Sequence, residues 1–563
     1  MRFKSFQQPV LAIVAALAVA LVFYPVMRNG FVWDDAIFFQ AYPVDLYFAS
    51  WIADGAEPFV LQSNYFRPLT YATYCLDILL AGGEAAFPHG FNLALHCLNT
   101  TLVGVVALGL LRREGCTTKP AMFAFFGALW YGLHPALTEP VAWITCRFDL
   151  LLTLFLLLIL ALTLRPAGSL RYFLIGFLYL CALLSKEAAV GFICVWPVWA
   201  WMLQRAAGGT AERYALLWRG WTALAVALLI ALAWRYQARG HVLSDSGTAA
   251  GPLAEHAWLV VMTVTQLARL ALAPFGSTDP LHMQQDFNAG FIVLALLLPA
   301  FAVWAIRKCE AAGWLLLAAM ISLAPVSNVV LIPLPQGNYV SDRYLTAPLV
   351  FVALALVLVA AKSWPRLRAG WIRMAGIGML TVWLLMAVVV IRATLPLWKD
   401  DLSYWGWVHR LHPQSVFVAR NYSAALLENG AAQQAGALLE SVLSADPASP
   451  GLWQNLCAVY LEQRHHARAI AACERSLELD SGDPHTWQNL AAIYAATGDL
   501  ARAEMLLKDK VLALNPAMVS AHLNLLRIYV AAGQRDVARD YIARHPTIFS
   551  GRWRKQGDDI LTP

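Results

Sequence analysis

The chain has 563 residues, of which 60% are hydrophobic and 13% are charged, and its formal net charge is +6. Several runs reach the ~20 apolar residues that a bilayer crossing requires, so the composition excludes an ordinary soluble globular protein. The small net charge gives no reason to expect nucleic-acid binding. The nine cysteines stand singly, without a CxxC pair or a Cys/His cluster. They therefore indicate neither a zinc site nor a disulfide framework.

The first part of the chain predicts a polytopic bundle of about eleven membrane-spanning helices. The first run, 9–27, lacks a small-residue cleavage site at the right place, which favours a retained span over a secretory signal. The other predicted spans are 90–110, 120–134, 148–164, 170–185, 188–204, 220–237, 290–306, 311–327, 344–361 and 374–392. The apolar stretch 257–275 breaks the alternation of loops and contains Arg269 and Pro274, so it predicts an interfacial or re-entrant helix.

Basic residues in alternate loops predict the orientation, because cytoplasmic loops carry an excess of Lys and Arg. Five loops carry such residues: Arg112, Arg113 and Lys119; Arg165 and Arg171; Arg205, Arg213 and Arg219; Arg307 and Lys308; and Lys362, Arg366, Arg368 and Arg373. With eleven crossings, these loops, like the N-terminus, lie in the cytoplasm. The C-terminus then lies outside.

An acidic pair, Asp34-Asp35, follows the first span on the predicted outer side. Such a pair can act as a general base, can coordinate a metal, or can be a solvated pair that caps a loop helix. Trp33 and the aromatic residues Phe38, Phe39 and Tyr42 would keep it at the membrane interface. Limited water there raises the pKa of a carboxylate.

Four cations fall on the same predicted side of the membrane: Arg67, Arg147, Lys186 and Arg343. Together they suit an anion, most simply a phosphate, which could belong to a lipid. The alternatives are a structural ion pair for Arg147 and Asp149, which enter an apolar segment, and a snorkelling side chain for Lys186. The sequence contains no Gly-rich phosphate loop and no convincing Ser/His/Asp order.

A soluble, repetitive region follows Trp398. Corresponding residues recur at steps of 34 or 35: Asn421, Asn455, Asn489 and Asn524; Trp453 and Trp487; and Tyr460, Tyr494 and Tyr529. This pattern resembles the tetratricopeptide repeat, a helix–turn–helix unit that stacks into a solenoid and commonly binds peptides on its concave face. The expected organisation is a membrane domain at 1–397, a linker at 398–412, about four repeats at 413–550 and a tail at 551–563.

Several motifs, in this order, resemble the transmembrane and tetratricopeptide-repeat O-mannosyltransferases, which are GT-C integral-membrane glycosyltransferases. The matching segments are Phe31-Val32-Trp33-Asp34-Asp35, Tyr65-Phe66-Arg67-Pro68-Leu69-Thr70, Asn92 to His96, His134-Pro135 with Thr138-Glu139, Arg147 with Asp149-Leu150, Leu184-Ser185-Lys186-Glu187, Pro325-Val326-Ser327-Asn328, and Arg343-Tyr344-Leu345. The resemblance covers most of the chain. It implies an all-α fold, a GT-C-like bundle followed by a repeat solenoid.

The resemblance also implies roles for individual residues. Asp34 would deprotonate the acceptor hydroxyl and Asp35 would position the acceptor or the sugar. The four cations would bind the donor phosphate. The residues that would position sugar or acceptor are Trp33, His134, Glu139, Asp149, Glu187 and Tyr344. Trp33 stands where relatives can carry His, and the repeat region is short. The acceptor is therefore expected to differ from that of eukaryotic members, and the size suggests a bacterial inner-membrane protein with periplasmic repeats.

The expected function is transfer of a mannose-like sugar, with inversion, from a polyprenyl-phosphate donor to a hydroxyl of a protein held by the repeats. The expected partners are this lipid-linked sugar, the acceptor protein and membrane lipids, without nucleic acid. No cofactor is certain, although the acidic pair could bind a divalent cation. One alternative is a non-catalytic membrane scaffold whose repeats recruit envelope proteins. A transporter would need charges at mid-membrane depth and inverted repeats, which the sequence does not show.

Overall fold

The structure is a computed structural model that describes residues 2–40, 66–165, 168, 170–205, 210–241, 253–275, 279–283, 311–328, 338–367 and 369–562, with isolated residues between 293 and 307. The described residues form two compact units. The bundle unit contains those within Met1–Gly30, Asn64–Thr73 and Glu84–Lys399. The repeat unit contains those within Phe31–Ser63, Tyr74–Gly83 and Asp400–Pro563. The acidic segment after the first span thus belongs to the same unit as the repeats.

Helices make up most of the described chain before residue 400. The α-helices are Arg2–Phe23, Asp35–Gln40, Pro68–Ala81, Ala86–Arg113, Pro120–Gly132, Thr138–Ala142, Arg147–Thr163, Arg171–Ser185, Phe192–Arg205, Thr210–Arg239, Leu253–Leu272, Ala311–Leu323, Pro348–Ser363 and Gly370–Thr394. The 3-10 helices are Tyr24–Arg28, Pro135–Leu137, Ile144–Cys146, Glu187–Gly191, Ala324–Val326, Asp342–Leu345, Trp364–Arg366 and Leu395–Trp398. Two short strands, His282–Met283 and Asn338–Val340, pair antiparallel, with His282 opposite Val340.

Seven of the predicted spans coincide with described segments that are long and apolar enough to cross a membrane, as expected for a membrane protein. These are Val10–Arg28, Ala86–Arg113, Ile144–Thr163, Glu187–Gln204, Tyr214–Ala238, Pro348–Arg366 and Gly370–Trp398. The predicted spans 120–134, 170–185 and 311–327 correspond to shorter apolar helices, and 290–306 lies largely outside the described residues. The eleven-span topology therefore stays a prediction.

The last of these helices, Gly370–Thr394, exposes apolar side chains over most of its surface. Trp371 is 73% exposed, and Met379 and Val389 are similarly exposed. A helix this apolar on its exposed side needs an apolar surrounding, which a bilayer supplies. Within the bundle, by contrast, helices approach closely. A Cβ atom at Gly220 would lie 2.0 Å from the buried ring of Trp196, so this position requires glycine.

Several basic loops of the bundle unit are joined by direct contacts. Arg113 donates two hydrogen bonds to the carbonyl of Leu203, the shorter at 2.7 Å. Lys362 pairs with Glu114 at 2.5 Å. These contacts bring together three of the loops in which Lys and Arg are concentrated. The sequence predicts that these loops share one side of the membrane, and this stays a prediction.

In the stretch 413–550, which belongs to the described range 369–562, the chain forms four consecutive helix pairs, as the repeat period predicts. The pairs are Val416–Glu428 with Ala432–Ala445, Pro450–Glu462 with His466–Leu479, Pro484–Ala496 with Leu500–Leu506 and its continuation to Leu514, and Val519–Ala531 with Arg535–Arg544. Two of the recurring asparagines, Asn455 and Asn489, donate hydrogen bonds to the preceding repeat. Asn455 donates to the carbonyl of Arg420, 2.7 Å away in the preceding repeat. The turns need a left-handed backbone, with φ of +89° at Gly498 and +59° at Arg464.

The segments expected to be a linker and a tail both contain helices, and the expected domain boundaries stay a prediction. The expected linker, 398–412, contains the helix Asp401–Leu411, whose Tyr404, Trp405 and Trp407 are buried. The expected tail, 551–563, contains the helix Arg552–Leu561, which packs on Val519–Ala531. Asp401–Leu411 buries three large aromatic side chains. Arg552–Leu561 instead buries Gly557 and packs Trp553, Ile560 and Leu561, which are partly buried, against the core of the repeats.

The cysteine spacing does not indicate a disulfide framework, but the described residues contain one disulfide. Cys457 and Cys473 lie on the two helices of the second repeat and are joined by a disulfide, with 5.2 Å between their Cα atoms. Both are fully buried. Sixteen residues separate them, so only the antiparallel pairing of the helices brings them together. The other described cysteines are free.

Candidate functional site

The acidic motif forms a tight turn in which its two carboxylates lie in different environments. Asp35 is the first residue of the helix Asp35–Gln40 and is completely buried. Its Oδ2 accepts a hydrogen bond from the backbone N–H of Val32 at 3.2 Å. Asp34 is partly exposed. Of the two predicted catalytic residues, Asp34 is therefore the more exposed, whereas Asp35 closes the turn. Its predicted positioning role stays a prediction.

Trp33, immediately before the pair, has a left-handed backbone with φ of +60°, which is uncommon for a residue other than glycine. Its N–H donates to Oδ1 of Asp401 at 2.7 Å. Its ring packs against the rings of Tyr404, Trp405 and Phe417, with centroids 5.2–6.0 Å away. Trp33 is thus held by backbone and side-chain contacts to the beginning of the repeat region. These contacts leave its predicted role toward sugar or acceptor untested.

The bundle unit contains a cluster of buried ion pairs. Its centre is Lys186, whose Nζ lies 2.5 Å from Oδ1 of Asp149, and both side chains are 7% exposed. Burial lowers the pKa of Lys186, and the carboxylate of Asp149 opposes this effect. Oδ2 of Asp149 is buried and has no hydrogen-bond partner among the described residues. A small cavity of about 30 Å³ lies here, lined by Asp149, Lys186 and Tyr344 together with apolar side chains.

Arg343 and Glu139 form a second pair. The guanidinium contacts Oε1 of Glu139, and the backbone N–H of Arg343 donates to Oε2 at 3.0 Å. Burial lowers the pKa of Arg343, but the Glu139 carboxylate more than offsets this and raises it well above the ordinary value. Arg343 therefore stays charged. Its Nε is nevertheless buried and has no hydrogen-bond partner in the part of the chain that the structure describes.

Arg67 and Glu187 form the third pair, with 2.9 Å between Nε and Oε2. The backbone N–H of Phe66 donates to the other carboxylate oxygen, also at 2.9 Å. Nη1 of Arg235 lies 3.9 Å from the same carboxylate. This arginine was not predicted from the sequence as a site residue. The sequence around 235 is an apolar span with one arginine, and only its position opposite Glu187 distinguishes it.

Two aromatic rings connect the three pairs. Arg67 and Lys186 both lie over the ring of Phe148, at 4.2 and 4.9 Å from its centroid. Lys186 and Arg343 both lie over the ring of Tyr344, at 5.1 and 5.4 Å. Three of the four predicted phosphate-binding cations thus converge, and each has a carboxylate partner. We call Arg67, Lys186, Arg343, Glu139, Asp149 and Glu187 the ion-pair cluster.

Arg147, the fourth predicted cation, is held by other atoms. It is completely buried and donates to Oδ1 of Asn92 at 2.8 Å, to the hydroxyl of Thr73 at 3.1 Å and to the carbonyl of Pro88 at 3.2 Å. It also lies over the ring of Phe91. These contacts join three helices, so they give Arg147 a structural task. Its predicted binding of phosphate stays a prediction.

His134 has a similar structural setting and is completely buried. Its Nδ1 accepts from the N–H of Ala136 at 3.3 Å, and its Nε2 lies 3.2 Å from the carbonyl of Ala271, to which it donates. Both ring nitrogens of His134 are hydrogen-bonded to backbone groups. To position a sugar or an acceptor, as predicted, the ring would have to give up one of these hydrogen bonds.

A polar pair that was not predicted from the sequence lies beside the predicted interfacial helix, with His282 buried and Asp342 partly buried. Nε2 of His282 lies 2.6 Å from Oδ1 of Asp342, and its Nδ1 lies 3.0 Å from Nε2 of Gln266. Gln266 belongs to the helix Leu253–Leu272, which contacts the strand Asn338–Val340. The position of Asp342, directly before Arg343, is the only sequence signal that could have found the pair.

No metal ligand set is apparent in the part of the chain that the structure describes: no three His, Cys, Asp or Glu side chains there are arranged to hold an ion. The structure places Asp34 and Asp35 in the repeat unit, and the ion-pair cluster in the bundle unit. The binding of a divalent cation by Asp34 and Asp35 stays a prediction.

Comparisons with known proteins agree with the repeat architecture and add one local similarity. Residues 426–493 match the tetratricopeptide repeat family. The chain is 32% identical over 138 residues to "Protein O-mannosyl-transferase TMTC1" of Homo sapiens, which covers 22% of this chain and 15% of that protein. The corresponding Mus musculus protein is 31% identical over 138 residues, covering 22% of this chain and 14% of that protein. The similarity thus spans about one seventh of these relatives.

Solved structures also match part of the chain. A structure of MamA from Desulfovibrio magneticus is 18% identical, covers 26% of this chain and 82% of its own, and has a TM-score of 0.23. A thermophilic TPR protein from Thermus thermophilus is 15% identical, covers 33% of this chain and 96% of its own, and has a TM-score of 0.26.

Proposed function

We propose that the protein is an integral-membrane glycosyltransferase that moves a mannose-like sugar from a polyprenyl-phosphate donor to a hydroxyl of a protein. The observation that carries the reaction class is the local identity of 32% with a protein O-mannosyl-transferase. The partly exposed Asp34 and the ion-pair cluster support it, because this reaction needs a base and cations for a departing phosphate.

In the proposed reaction, Asp34 accepts the proton of the acceptor hydroxyl. The hydroxyl oxygen forms a bond to the anomeric carbon while the bond from that carbon to the phosphate oxygen breaks. Attack from the face opposite the phosphate inverts the configuration. Polyprenyl phosphate leaves with the bonding electrons, and the sugar is oxocarbenium-like in the transition state.

The cluster provides groups suited to the donor. Nε of Arg343 and Oδ2 of Asp149 have no hydrogen-bond partner within the described ranges. The first can donate to a phosphate oxygen, and the second can accept from a sugar hydroxyl. Charge on the phosphate grows as the bond breaks, so Arg67, Lys186 and Arg343 stabilise the transition state more than the ground state. Glu139 and Glu187 hold the arginines in place until the donor arrives. Tyr344 keeps Lys186 and Arg343 together.

We also propose that the repeats lie outside the cytoplasm, in a bacterial periplasm. The basic loops support this orientation through the positive-inside rule. The buried disulfide supports it independently, because disulfides persist in oxidising compartments. Repeats on this side would hold the acceptor near the donor and raise its effective concentration.

Donor turnover by the purified protein tests the proposal. Radiolabelled polyprenyl-phosphate mannose and other lipid-linked sugars are offered with envelope proteins as acceptors. We expect wild type to consume one donor and Asp34→Asn to lose transfer at least a hundredfold while staying folded. Asp536→Asn is the matched control, because Asp536 is 96% exposed in the last repeat. Equal turnover by wild type and Asp34→Asn would exclude Asp34 as the base. Consumption of no donor would favour the scaffold.

A further inference from the structure

The acidic segment is packed against both ends of the repeat region. At its beginning, Trp33 is bound to Asp401 and to Phe417, which belongs to the first helix of the first repeat. At its other end, the carbonyl of Phe39 accepts a hydrogen bond from Nη2 of Arg552 at 3.2 Å. Arg552 begins the last helix, which packs on the final repeat. A tethered domain that only recruits a substrate does not need these contacts.

Asp401 is the residue that binds the backbone of the acidic segment at Trp33. It follows Asp400, which caps the helix Asp401–Leu411 through its Oδ1 and the N–H of Ser403 at 2.8 Å. The Asp401 carboxylate instead accepts the N–H of Trp33, 368 residues away in sequence, and also bonds Trp405. The two adjacent aspartates thus have different tasks, since one begins a helix and the other holds the acidic loop.

The hydrogen bond to Asp401 holds Trp33 in a left-handed backbone conformation that tryptophan rarely adopts. A left-handed φ at a tryptophan costs free energy and persists only when surrounding contacts impose it. The next residue in the chain is Asp34. A change in the Trp33 conformation would therefore redirect the Asp34 carboxylate, and misplacement of a base by about 1 Å can reduce a rate about a hundredfold.

We propose that Asp401 is a positioning residue that holds the acidic motif in its reactive conformation, and that the repeat region is thereby a structural part of the catalytic site. This inference rests on the proposed function. Asp401 touches neither donor nor acceptor in this scheme, since it acts through the Trp33 peptide. The repeats then have two tasks, to bind the acceptor and to keep Asp34 in place.

Three variants of the full-length protein separate this role from a general structural one. Asp401→Ala removes the acceptor of the Trp33 N–H. Asp401→Asn keeps an oxygen at the same place and should restore the bond. Asp400→Ala removes the neighbouring cap without removing the bond to Trp33. All three are compared with wild type and Asp34→Asn by hydrogen exchange of the 31–40 peptide and by donor turnover.

We expect Asp401→Ala to speed exchange of the Trp33 amide at least tenfold and to lower kcat at least tenfold, with an unchanged KM for the donor. Asp401→Asn should recover most of both values, and Asp400→Ala should match wild type in both. Unchanged exchange in Asp401→Ala, or loss of kcat in Asp400→Ala to the same extent, would overturn the inference. If Asp34→Asn turns over normally, the assignment of Asp34 as the base fails instead, and if wild type consumes no donor, the proposed function fails. The exchange result still reports whether Asp401 holds the loop.

Discussion

The charge balance of the ion-pair cluster decides how its individual residues can be tested. Lys186 and Asp149 are both almost fully buried, 37 residues apart in sequence and 2.5 Å apart in space. Removing one member of such a pair leaves a buried charge without compensation, which typically costs about 3–5 kcal/mol. Replacing both members by apolar residues of similar size is often tolerated. A single substitution therefore confuses a loss of folding with a loss of function.

We expect Lys186→Met to lower the thermal stability of the detergent-solubilised protein, by about 3 kcal/mol, and Lys186→Met/Asp149→Leu to regain most of it. If these residues bind the donor, the folded double variant should still show a donor KM raised at least tenfold. Lys508→Met, which breaks the exposed pair with Glu504, is the control and should change stability by less than about 1 kcal/mol. A double variant with normal donor kinetics would restrict the pair to a structural role.

At the scale of elements, the second repeat depends on a cross-link between its two helices. Cys457 and Cys473 join Pro450–Glu462 to His466–Leu479. Closing a loop of this size restricts the unfolded chain and stabilises the fold by about 3 kcal/mol in the chain-entropy account. The repeat should therefore be less stable when the disulfide is reduced, and all the more so because both sulfurs lie in its core.

We expect a reductant to lower the Tm at which the repeat region unfolds, measured in the full-length wild-type protein, by several degrees. Cys457→Ala/Cys473→Ala should begin with a lowered Tm and should not respond to the reductant. Circular dichroism melting with and without reductant measures both. Cys75→Ala, which removes a free buried thiol outside the repeats, is the control and should respond to reductant like wild type. Identical melting of wild type in both conditions would show that the disulfide does not form or does not stabilise the repeat.

At the scale of the whole molecule, the question is whether the repeats act only on the acceptor. Phe417 lies on the first repeat and contacts Trp33 and Trp405. Trp487 lies on a later repeat, where its indole N–H donates to the carbonyl of Ser481. Phe417→Ala should reduce transfer to a small hydroxyl acceptor and to a polypeptide acceptor by similar factors, about tenfold, because it disturbs the loop that carries Asp34.

Trp487→Ala should reduce transfer to the polypeptide more than transfer to the small acceptor, because it alters the repeats away from the acidic loop. Initial rates with both acceptors, measured at matched protein folding by circular dichroism, make the comparison. A Phe417→Ala variant with full activity toward the small acceptor would limit the repeats to recruitment.

Features that depend on short or periodic patterns could be predicted from the residues alone. Hydropathy located the seven described spans, and the 34-residue period located the four repeats, because each pattern is read within one segment or between copies of it. The repeat period also explained Asn455, whose side chain joins neighbouring repeats. The same reading marked Arg67, Lys186 and Arg343 as unusual cations, since charges beside apolar spans need a partner or a task.

The partner of each of these residues is visible only in the folded protein. Arg67 pairs with Glu187 across 120 positions, Arg343 with Glu139 across 204, and Trp33 with Asp401 across 368. No local pattern encodes such separations, because they arise when distant helices pack. For the same reason the sequence could not show that Asp35 is buried while Asp34 is partly exposed, or that a segment expected to be a linker holds the acidic loop.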